Sequence, residues 1–486
     1  MRLSELLGAK GAANDTEIGG LTADSREVMP GWLFAALPGS QTDGRRYIGE
    51  ALDRGAVALL VPAGGEQTYP ETVIVIEAAQ PRRRYAQLAA RFYGRQPETA
   101  VAVTGTNGKT SVVRFLRQIW KANGLAGASL GTLGLESDAV TAEGRLTTPD
   151  PAYLHQLLAD LADAGVDHIA FEASSHGLDQ GRLDGVRLTA GGFTHITQDH
   201  LDYHGTMEAY FYAKARLFGE LIPPGGTAVI NVDTPGGRSM EDLAWGRGLK
   251  LITVGREADC DLSISDVAPT RAGQQFTARW QSTEMAVHLP LIGRFQADNA
   301  LLAAGLAIAA GLEPHRALSA LETLHGVPGR MELVGSSATG APVFVDYAHT
   351  EGGLETVLTA ARPHISGKLW VVFGCGGDRD RAKRPAMGRT AASLADQVII
   401  TDDNPRSEDP AAIRAAIREG CPDARVIADR ALAIQTAIDG LGASDGLIIA
   451  GKGHETGQIV GDTVLPFNDR DVAAARLARP AETPSP

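Results

Sequence analysis

The chain has 486 residues, 44% hydrophobic and 21% charged, a composition of soluble globular proteins and a length that implies about three domains. Lysine and arginine number 45 against 58 acidic residues, a net charge of −13, which excludes a general nucleic-acid binder and requires any anion site to be built locally. Cys260, Cys375 and Cys421 are too sparse for a disulfide framework and lack metal-ligand spacing, so a reducing compartment is expected. The N-terminal residues are too interrupted for a signal peptide, and the longest apolar stretch, 300–312, is too short to span a bilayer. The expected location is the cytoplasm.

In chain order, residues 1–96 form a first unit with short strand-like runs at 31–37, 57–61 and 72–76, and Gln96-Pro97 marks its end. A second unit, 97–327, opens with the β-rich run 100–103. A Gly-rich loop follows, Thr104-Gly-Thr-Asn-Gly-Lys-Thr-Ser111, and then a helix whose apolar residues Val112, Phe115, Leu116, Ile119 and Trp120 share one face, with Asn123-Gly124 as its stop. Later strands are expected at 168–171 and 228–231, and 260–292 alternates as an antiparallel segment does. The third unit, 328–486, carries strands at 343–345, 369–373, 397–400 and 447–450 between helical patterns, a second parallel sheet, and 479–486 reads as a loose tail. The fold class is therefore α/β, with a small first domain, a central mononucleotide-binding parallel sheet and a Rossmann-like C-terminal sheet.

Strand, glycine loop and helix in succession are the context of a phosphate loop. Gly105 and Gly108 let backbone N–H groups turn toward phosphate oxygens, Lys109 supplies charge, and Thr110 offers a hydroxyl to Mg²⁺. Thr106, Asn107 and Ser111 complete the loop. The first glycine of the common motif is missing, with Val103 in its place. Glu172, ending a buried strand, is an ordinary strand-end glutamate in isolation and a partner for loop-bound Mg²⁺ beside such a loop. The run Thr197–His204 packs two aspartates and two histidines into eight residues, and metal or phosphate contact stands level with helix caps and turns. No Asn-Lys-x-Asp guanine motif occurs, so ATP is favoured over GTP.

With these runs go Asp24-Ser-Arg26, Asp43-Gly-Arg45, Thr147-Thr-Pro149, the stretch 172–182, Ala213-Lys-Ala-Arg-Leu-Phe218, Asp346-Tyr-Ala-His-Thr350, Gly374-Cys-Gly-Gly-Asp-Arg-Asp380, Asp403-Asn-Pro-Arg406 and Gly451-Lys-Gly-His-Glu455. In this order they resemble the Mur ligases, and among them the diaminopimelate-adding members, over about 24–469. The family's shorter loop form accommodates Val103. The resemblance implies an ATP-dependent amide ligase of peptidoglycan synthesis. ATP phosphorylates the D-glutamate carboxylate of UDP-N-acetylmuramoyl-L-alanyl-D-glutamate, and the amine of meso-2,6-diaminopimelate attacks the acyl phosphate. The substrates are small molecules, with no nucleic-acid or membrane partner, and a monomer is expected.

The resemblance also assigns residues. Gly105, Thr106, Asn107, Gly108, Lys109, Thr110 and Ser111 bind ATP phosphates, and Asn299, Arg330 and Asp346 hold the adenosine end and the phosphate. Thr110, Glu172, His200 and Lys214 surround Mg²⁺, and with Lys109 the last three are the catalytic set. Ser25, Gln41, Thr147, Thr148, Ser174, Gln180 and Arg182 hold the UDP-linked peptide. Lys214 is a helix-surface lysine by sequence alone; the resemblance makes it an N6-carboxylysine, whose formation from CO₂ needs a neutral amine and so a depressed pKa.

Arg379, Asp403, Asn404, Pro405, Arg406, Gly451 and Glu455 fall at strand ends and are assigned to diaminopimelate: the arginines to its distal carboxylate, Asp403, Glu455 and the Gly451 carbonyl to its ammonium. L-Lysine lacks that carboxylate, and a site built on such polar pairs rejects it by about 10⁴-fold. Alternatives are a lysine-adding ligase, a folylpolyglutamate synthase-like ligase and a non-ligating nucleotide switch. One departure from the family pattern is Thr350-Glu-Gly-Gly353, where Pro-Asp usually follows the threonine. Arg82-Arg-Arg84 reads as a solvated helix face, and Arg381, Lys383 and Arg384 as local positive potential near the substrates.

Overall fold

The computed structural model describes residues 1–9, 15–39, 42–65, 68–144, 146–271 and 273–478. Gln41 and the tail 479–486 lie outside the described residues. The chain divides into two compact units, residues 1–263 with 301–320, and residues 264–300 with 321–486.

The first unit begins with a four-stranded parallel sheet in the order Leu21–Thr22, Leu33–Ala35, Ala58–Pro62, Ile74–Ala78. The strand expected from 31 starts later because Gly31 turns at φ 84, a conformation that glycine adopts without penalty. The helix Pro81–Tyr93 has proline at its first turn, where no N–H is needed, and buries Tyr85, Ala86, Leu88 and Ala89. Arg82-Arg-Arg84 on this helix is not the solvated face expected. Arg83 donates to Asp184 at 2.6 Å, and Arg82 donates to the Pro38 carbonyl at 2.6 Å.

The central sheet runs Lys250–Gly255, Thr227–Asn231, Ala190–Phe193, Thr99–Thr104, His168–Glu172, Gly127–Gly131, all parallel, with a short antiparallel edge at Gly134–Glu136 and Thr141–Ala142. Its middle strands are covered on both faces, so Val101, Ala102 and Val103 are all buried, as in parallel sheets generally. The helix Lys109–Ala122 buries the five residues that the periodicity marks, and Asn123 Nδ2 donates to the Ile119 carbonyl at 2.8 Å where it ends.

The second unit holds the antiparallel hairpin Gly273–Trp280 and Thr283–Leu289, as the alternation predicts. Its six-stranded sheet runs Glu332–Ser336, Pro342–Asp346, Gly446–Ala450, Leu369–Phe373, Gln397–Ile400, Arg425–Val426, parallel except for the first strand. This order sets the ends of four strands, at Asp346, Ala450, Phe373 and Ile400, side by side, and α/β sheets bind ligands at that edge. A small hairpin, Gly457–Val460 with Thr463–Pro466, follows. No helix among the described residues is long and apolar enough to cross a membrane.

Candidate active site

The loop after Thr99–Thr104 turns through Gly105 at φ 144 and Gly108 at φ 87. A Cβ on Gly105 would lie 1.8 Å from Thr194 Oγ1, so only glycine allows the approach. Thr194, at the end of the neighbouring strand, donates to the Asn107 carbonyl at 2.6 Å, and Thr106 N donates to the His195 carbonyl at 2.8 Å. Thr106 Oγ1 lies 3.2 Å from the Tyr210 hydroxyl. Neighbouring strand and helix thus hold the loop open at the N-terminus of Lys109–Ala122, where backbone N–H groups and the helix dipole favour an anion. Lys109 Nζ folds back over the loop to the carbonyls of Gly105 and Thr106, both at 2.9 Å.

Lys214 lies in the helix Met207–Arg216 but is 1% exposed, so it is not a surface lysine. Its Nζ donates to the Gly105 carbonyl at 2.8 Å and sits 4.4 Å from the centre of the Tyr210 ring. Burial first, and then the nearby Lys109 charge, push its pKa down to about 6. The amine is therefore largely neutral at neutral pH, the state that reaction with CO₂ requires.

Glu172 is 2% exposed and ends the strand beside the loop. Its Oε1 accepts from Thr110 Oγ1 and from Thr132 N, each at 2.9 Å. Gly131 makes room, since a Cβ there would lie 2.0 Å from that oxygen. Among the described residues no three histidine, cysteine, aspartate or glutamate side chains converge as a metal-ligand set. A hydroxyl and a carboxylate beside a phosphate loop nonetheless fit magnesium, which takes few protein ligands and completes its shell with water and substrate phosphates. His200 is exposed at φ 51, with Nε2 3.5 Å from Asp199 and its ring 4.9 Å from that of His176. Within Thr197–His204, residues 201–204 form a short helix whose N-cap residue, His200, makes no side-chain capping bond, and Asp199 Oδ1 accepts from the adjacent His200 N at 2.8 Å.

Behind Glu172 a polar chain leads away from the loop. Thr147 Oγ1 lies 3.1 Å from Thr132 Oγ1; Thr148 Oγ1 donates to the Glu172 carbonyl at 2.8 Å and lies 3.0 Å from Ser174 Oγ. Arg182 donates to the Thr148 carbonyl and to Gln180 Oε1, both at 2.7 Å, and Gln180 Nε2 reaches the Tyr203 hydroxyl at 3.2 Å. Gln180 and Arg182 line a cleft of about 210 Å³ with Arg82, Tyr85, Leu146 and Asp150. Ser25 is elsewhere in the first sheet's loops, its hydroxyl donating to Glu50 Oε2 at 2.7 Å.

In the second unit Asp346 is buried, accepts from Met331 N and Ala348 N at 2.7 Å each, and burial raises its pKa to about 6 against the pull of Arg330. Arg330 stacks on Tyr347, its guanidinium carbon 4.9 Å from the ring centre. Asn299 Nδ2 donates to Gln296 Oε1 at 3.4 Å, and Gln296 Nε2 donates to the Arg330 carbonyl at 3.1 Å.

The strand-end residues of this unit come together. Asn404 Nδ2 donates to Glu455 Oε2 at 2.9 Å, and the fully buried Lys452 donates to both Asn404 Oδ1 and Glu455 Oε2 at 2.9 Å. Gly451, at φ 120, lies against Asp403: a Cβ would be 2.8 Å from Asp403 Oδ2. Arg406 adopts φ 52 and donates through Nη1 to the Gly377 carbonyl at 2.8 Å; its N donates to the Ile459 carbonyl at 3.0 Å. Gly377 permits this approach, because a Cβ would meet the Pro405 carbonyl at 1.9 Å. Arg379 is exposed on the same loop. Beneath lies a fully buried pair, Arg430 Nε to Asp469 Oδ1 at 2.7 Å, with Arg430 Nη2 also donating to the Ala450 carbonyl at 3.0 Å.

Thr132, Tyr210, Lys452, Arg430 and Asp469 are absent from the residues expected from sequence. Only Lys452 had a signal, its place inside Gly451–Glu455. Arg381 and Arg384 share one carboxylate, that of Glu408, at 3.1 and 2.8 Å. Lys383 donates to the His349 carbonyl at 2.8 Å.

Three family profiles match in succession: "Mur ligase family, catalytic domain" over residues 17–93, "Mur ligase middle domain" over 103–307, and "Mur ligase, glutamate ligase domain" over 329–453. The chain is 51% identical over 485 residues to a UDP-N-acetylmuramoyl-L-alanyl-D-glutamate–2,6-diaminopimelate ligase of Bradyrhizobium diazoefficiens, covering 98% of this chain and 99% of that one. It is 52% identical over 474 residues to the protein of that name from Caulobacter vibrioides, covering 96% and 97%. A solved structure of a ligase of that name superposes with a TM-score of 0.75 at 33% identity, covering 98% of both chains. The chain belongs to the Mur ligase family.

Proposed function

We propose that this chain is the ATP-dependent ligase that joins meso-2,6-diaminopimelate to the D-glutamate carboxylate of UDP-N-acetylmuramoyl-L-alanyl-D-glutamate, acting in the cytoplasm as a monomer in peptidoglycan synthesis. The full-length likeness to relatives of that name supports the substrate. The observation that carries the chemistry is Lys214, buried and drawn down to a pKa of about 6 against the phosphate loop.

A carboxylate is a poor electrophile, and phosphorylation gives it a leaving group. The D-glutamate carboxylate attacks the γ-phosphorus of ATP and ADP departs. The diaminopimelate amine then adds to the acyl carbon and loses a proton, and the tetrahedral intermediate expels phosphate with the oxygen that bridged carbon and phosphorus. The backbone N–H groups of 105–111 and Lys109 hold the phosphates. Thr110 and Glu172, joined at 2.9 Å, would hold Mg²⁺ with His200, and that ion would offset the charge of the transferring phosphoryl group. Lys214 as a carbamate would turn an ammonium that repels a cation into an anion that attracts one. Asn299, Arg330 and Asp346 serve the nucleotide's other end.

Ser25, Thr147, Thr148, Ser174, Gln180 and Arg182 orient the UDP-linked peptide, with the Arg182 cleft providing charge for its diphosphate. Arg379 and Arg406 take the distal carboxylate of diaminopimelate. Asp403, Asn404, Glu455 and the Gly451 carbonyl take its ammonium, and Pro405 fixes the turn between them. The domain limits 1–96, 97–327 and 328–486 go with this division of labour.

A heavy-oxygen label in the D-glutamate carboxylate tests the route. One labelled oxygen is expected in each phosphate released; unlabelled phosphate would rule out the acyl phosphate.

A further inference from the structure

The two loops that present Arg379 and Arg406 are tied by a reciprocal pair of carboxylates. Asp378, on the first loop, accepts from Ser407 N at 3.1 Å and from Ser407 Oγ at 2.7 Å. Glu408, on the second loop, accepts from Asp378 N at 2.6 Å. Glu408 also accepts from both terminal nitrogens of Arg384, at 2.8 and 3.1 Å, and pairs with Arg381 at 3.1 Å. Arg384 is 3% exposed, so its charge has its counter-ion in Glu408. The Arg384 bonds, with the Asp378 N–H next, hold the Glu408 carboxyl down at about 2, ionised throughout the working range.

The tie has backbone strain to hold. Asp378 and Arg406 adopt φ 54 and φ 52, in the left-handed region that non-glycine residues disfavour. Each sits at a point that sets the direction of a reading arginine: Asp378 precedes Arg379, and Arg406 is itself the second. The loops also meet through Gly377 N donating to the Asn404 carbonyl at 2.9 Å and Arg406 Nη1 donating to the Gly377 carbonyl at 2.8 Å. Strain of this kind persists only where surrounding bonds over-determine it, and the Asp378–Ser407–Glu408 clasp supplies them.

We propose that Glu408 is a positioning residue for amino-acid selection: anchored on Arg384, it clasps the Arg379 loop to the Arg406 loop and so fixes the spacing of the two guanidinium groups that read the distal carboxylate. This rests on the diaminopimelate assignment above. Glu408 touches no substrate. It sets a spacing that matters for an amino acid with two carboxylates and not for L-lysine, which has nothing to place between the arginines. Loosening the clasp therefore acts on selectivity more than on rate.

The test is steady-state kinetics of the full-length enzyme and its Glu408→Gln and Ser407→Ala variants, with ATP and UDP-dipeptide saturating and either meso-diaminopimelate or L-lysine varied. Glu408→Gln is expected to raise the KM for diaminopimelate about tenfold, the size of one charge-assisted hydrogen bond, with kcat within about twofold. The ratio of kcat/KM for diaminopimelate over lysine falls by the same factor, while the KM for ATP stays put. Ser407→Ala, which removes one exposed bond, gives a smaller fall in the same direction and carries the test if Glu408→Gln does not fold. A wild-type preference for diaminopimelate with an unchanged ratio in both variants overturns the clasp alone. A wild-type enzyme without that preference overturns the diaminopimelate assignment and this inference with it.

Discussion

Lys214 Nζ and Lys109 Nζ donate to one oxygen, the carbonyl of Gly105, at 2.8 and 2.9 Å. Burial, and then repulsion from the Lys109 charge, make the Lys214 proton easier to remove. Carbamylation would replace that repulsion by attraction to Lys109 and to a cation.

Lys214→Ala is expected to lose activity by about 10²–10³-fold, the usual cost of one group that stabilises developing charge. Short-chain carboxylates should restore part of it by occupying the vacated space as anions. Wild-type enzyme freed of CO₂ should slow and recover with bicarbonate. Full activity in the alanine variant contradicts the role.

His155 is 2% exposed, and its Nε2 has no hydrogen-bond partner. Burial pushes its pKa down from 6.5 to about 4. The unfolded chain thus binds the proton that the folded one refuses, so stability is complete above pH 6.5 and falls as pH drops toward 4. His155→Gln should flatten the dependence of the unfolding midpoint on pH over this window. An unchanged slope would show that other groups set it.

The departure at 350–353 leaves the start of its helix capped. Thr350 Oγ1 accepts from Gly353 N at 3.1 Å, and Glu351 sits in the first turn, where a negative charge opposes the helix dipole. What the departure brings is two glycines in a helix. A Cβ on Gly352 meets nothing within 4 Å, so Gly352→Ala should stabilise by up to about 1 kcal/mol. A lowered denaturant midpoint would contradict this.

The Arg430–Asp469 pair is wholly buried at the end of the Gly446–Ala450 strand, where Arg430 Nη2 donates to the Ala450 carbonyl. Asp469→Asn strands a buried guanidinium and should cost about 3–5 kcal/mol, whereas replacing both partners by apolar residues of similar volume should cost less. Denaturant titration of the three proteins decides it; equal losses would mean that the charges are not coupled.

Features that depend on neighbours in sequence were legible. The Lys109–Ala122 helix followed from periodicity, its loop from two glycines, and the hairpin at 273–289 from alternation. The short motifs carried the family, and through it pointed to the strand-end residues 403–406 and 451–455. Lys214 shows the limit: nothing in its helix announces that Nζ turns inward to a carbonyl 109 residues away. Arg83 was misread for the same reason, since its partner Asp184 is 101 residues on. Arg430 and Asp469, like Arg384 and Glu408, are common residue types whose meaning comes from partners that only the folded sheet supplies.

The most direct test of the central claim is the mass of the product and the count of phosphate released when the purified enzyme meets ATP, UDP-N-acetylmuramoyl-L-alanyl-D-glutamate and meso-diaminopimelate. The UDP-tripeptide and one phosphate per molecule are expected, with neither formed when the dipeptide or the amino acid is left out. Phosphate released without either acceptor substrate, or a product built from L-lysine as readily as from diaminopimelate, would contradict it.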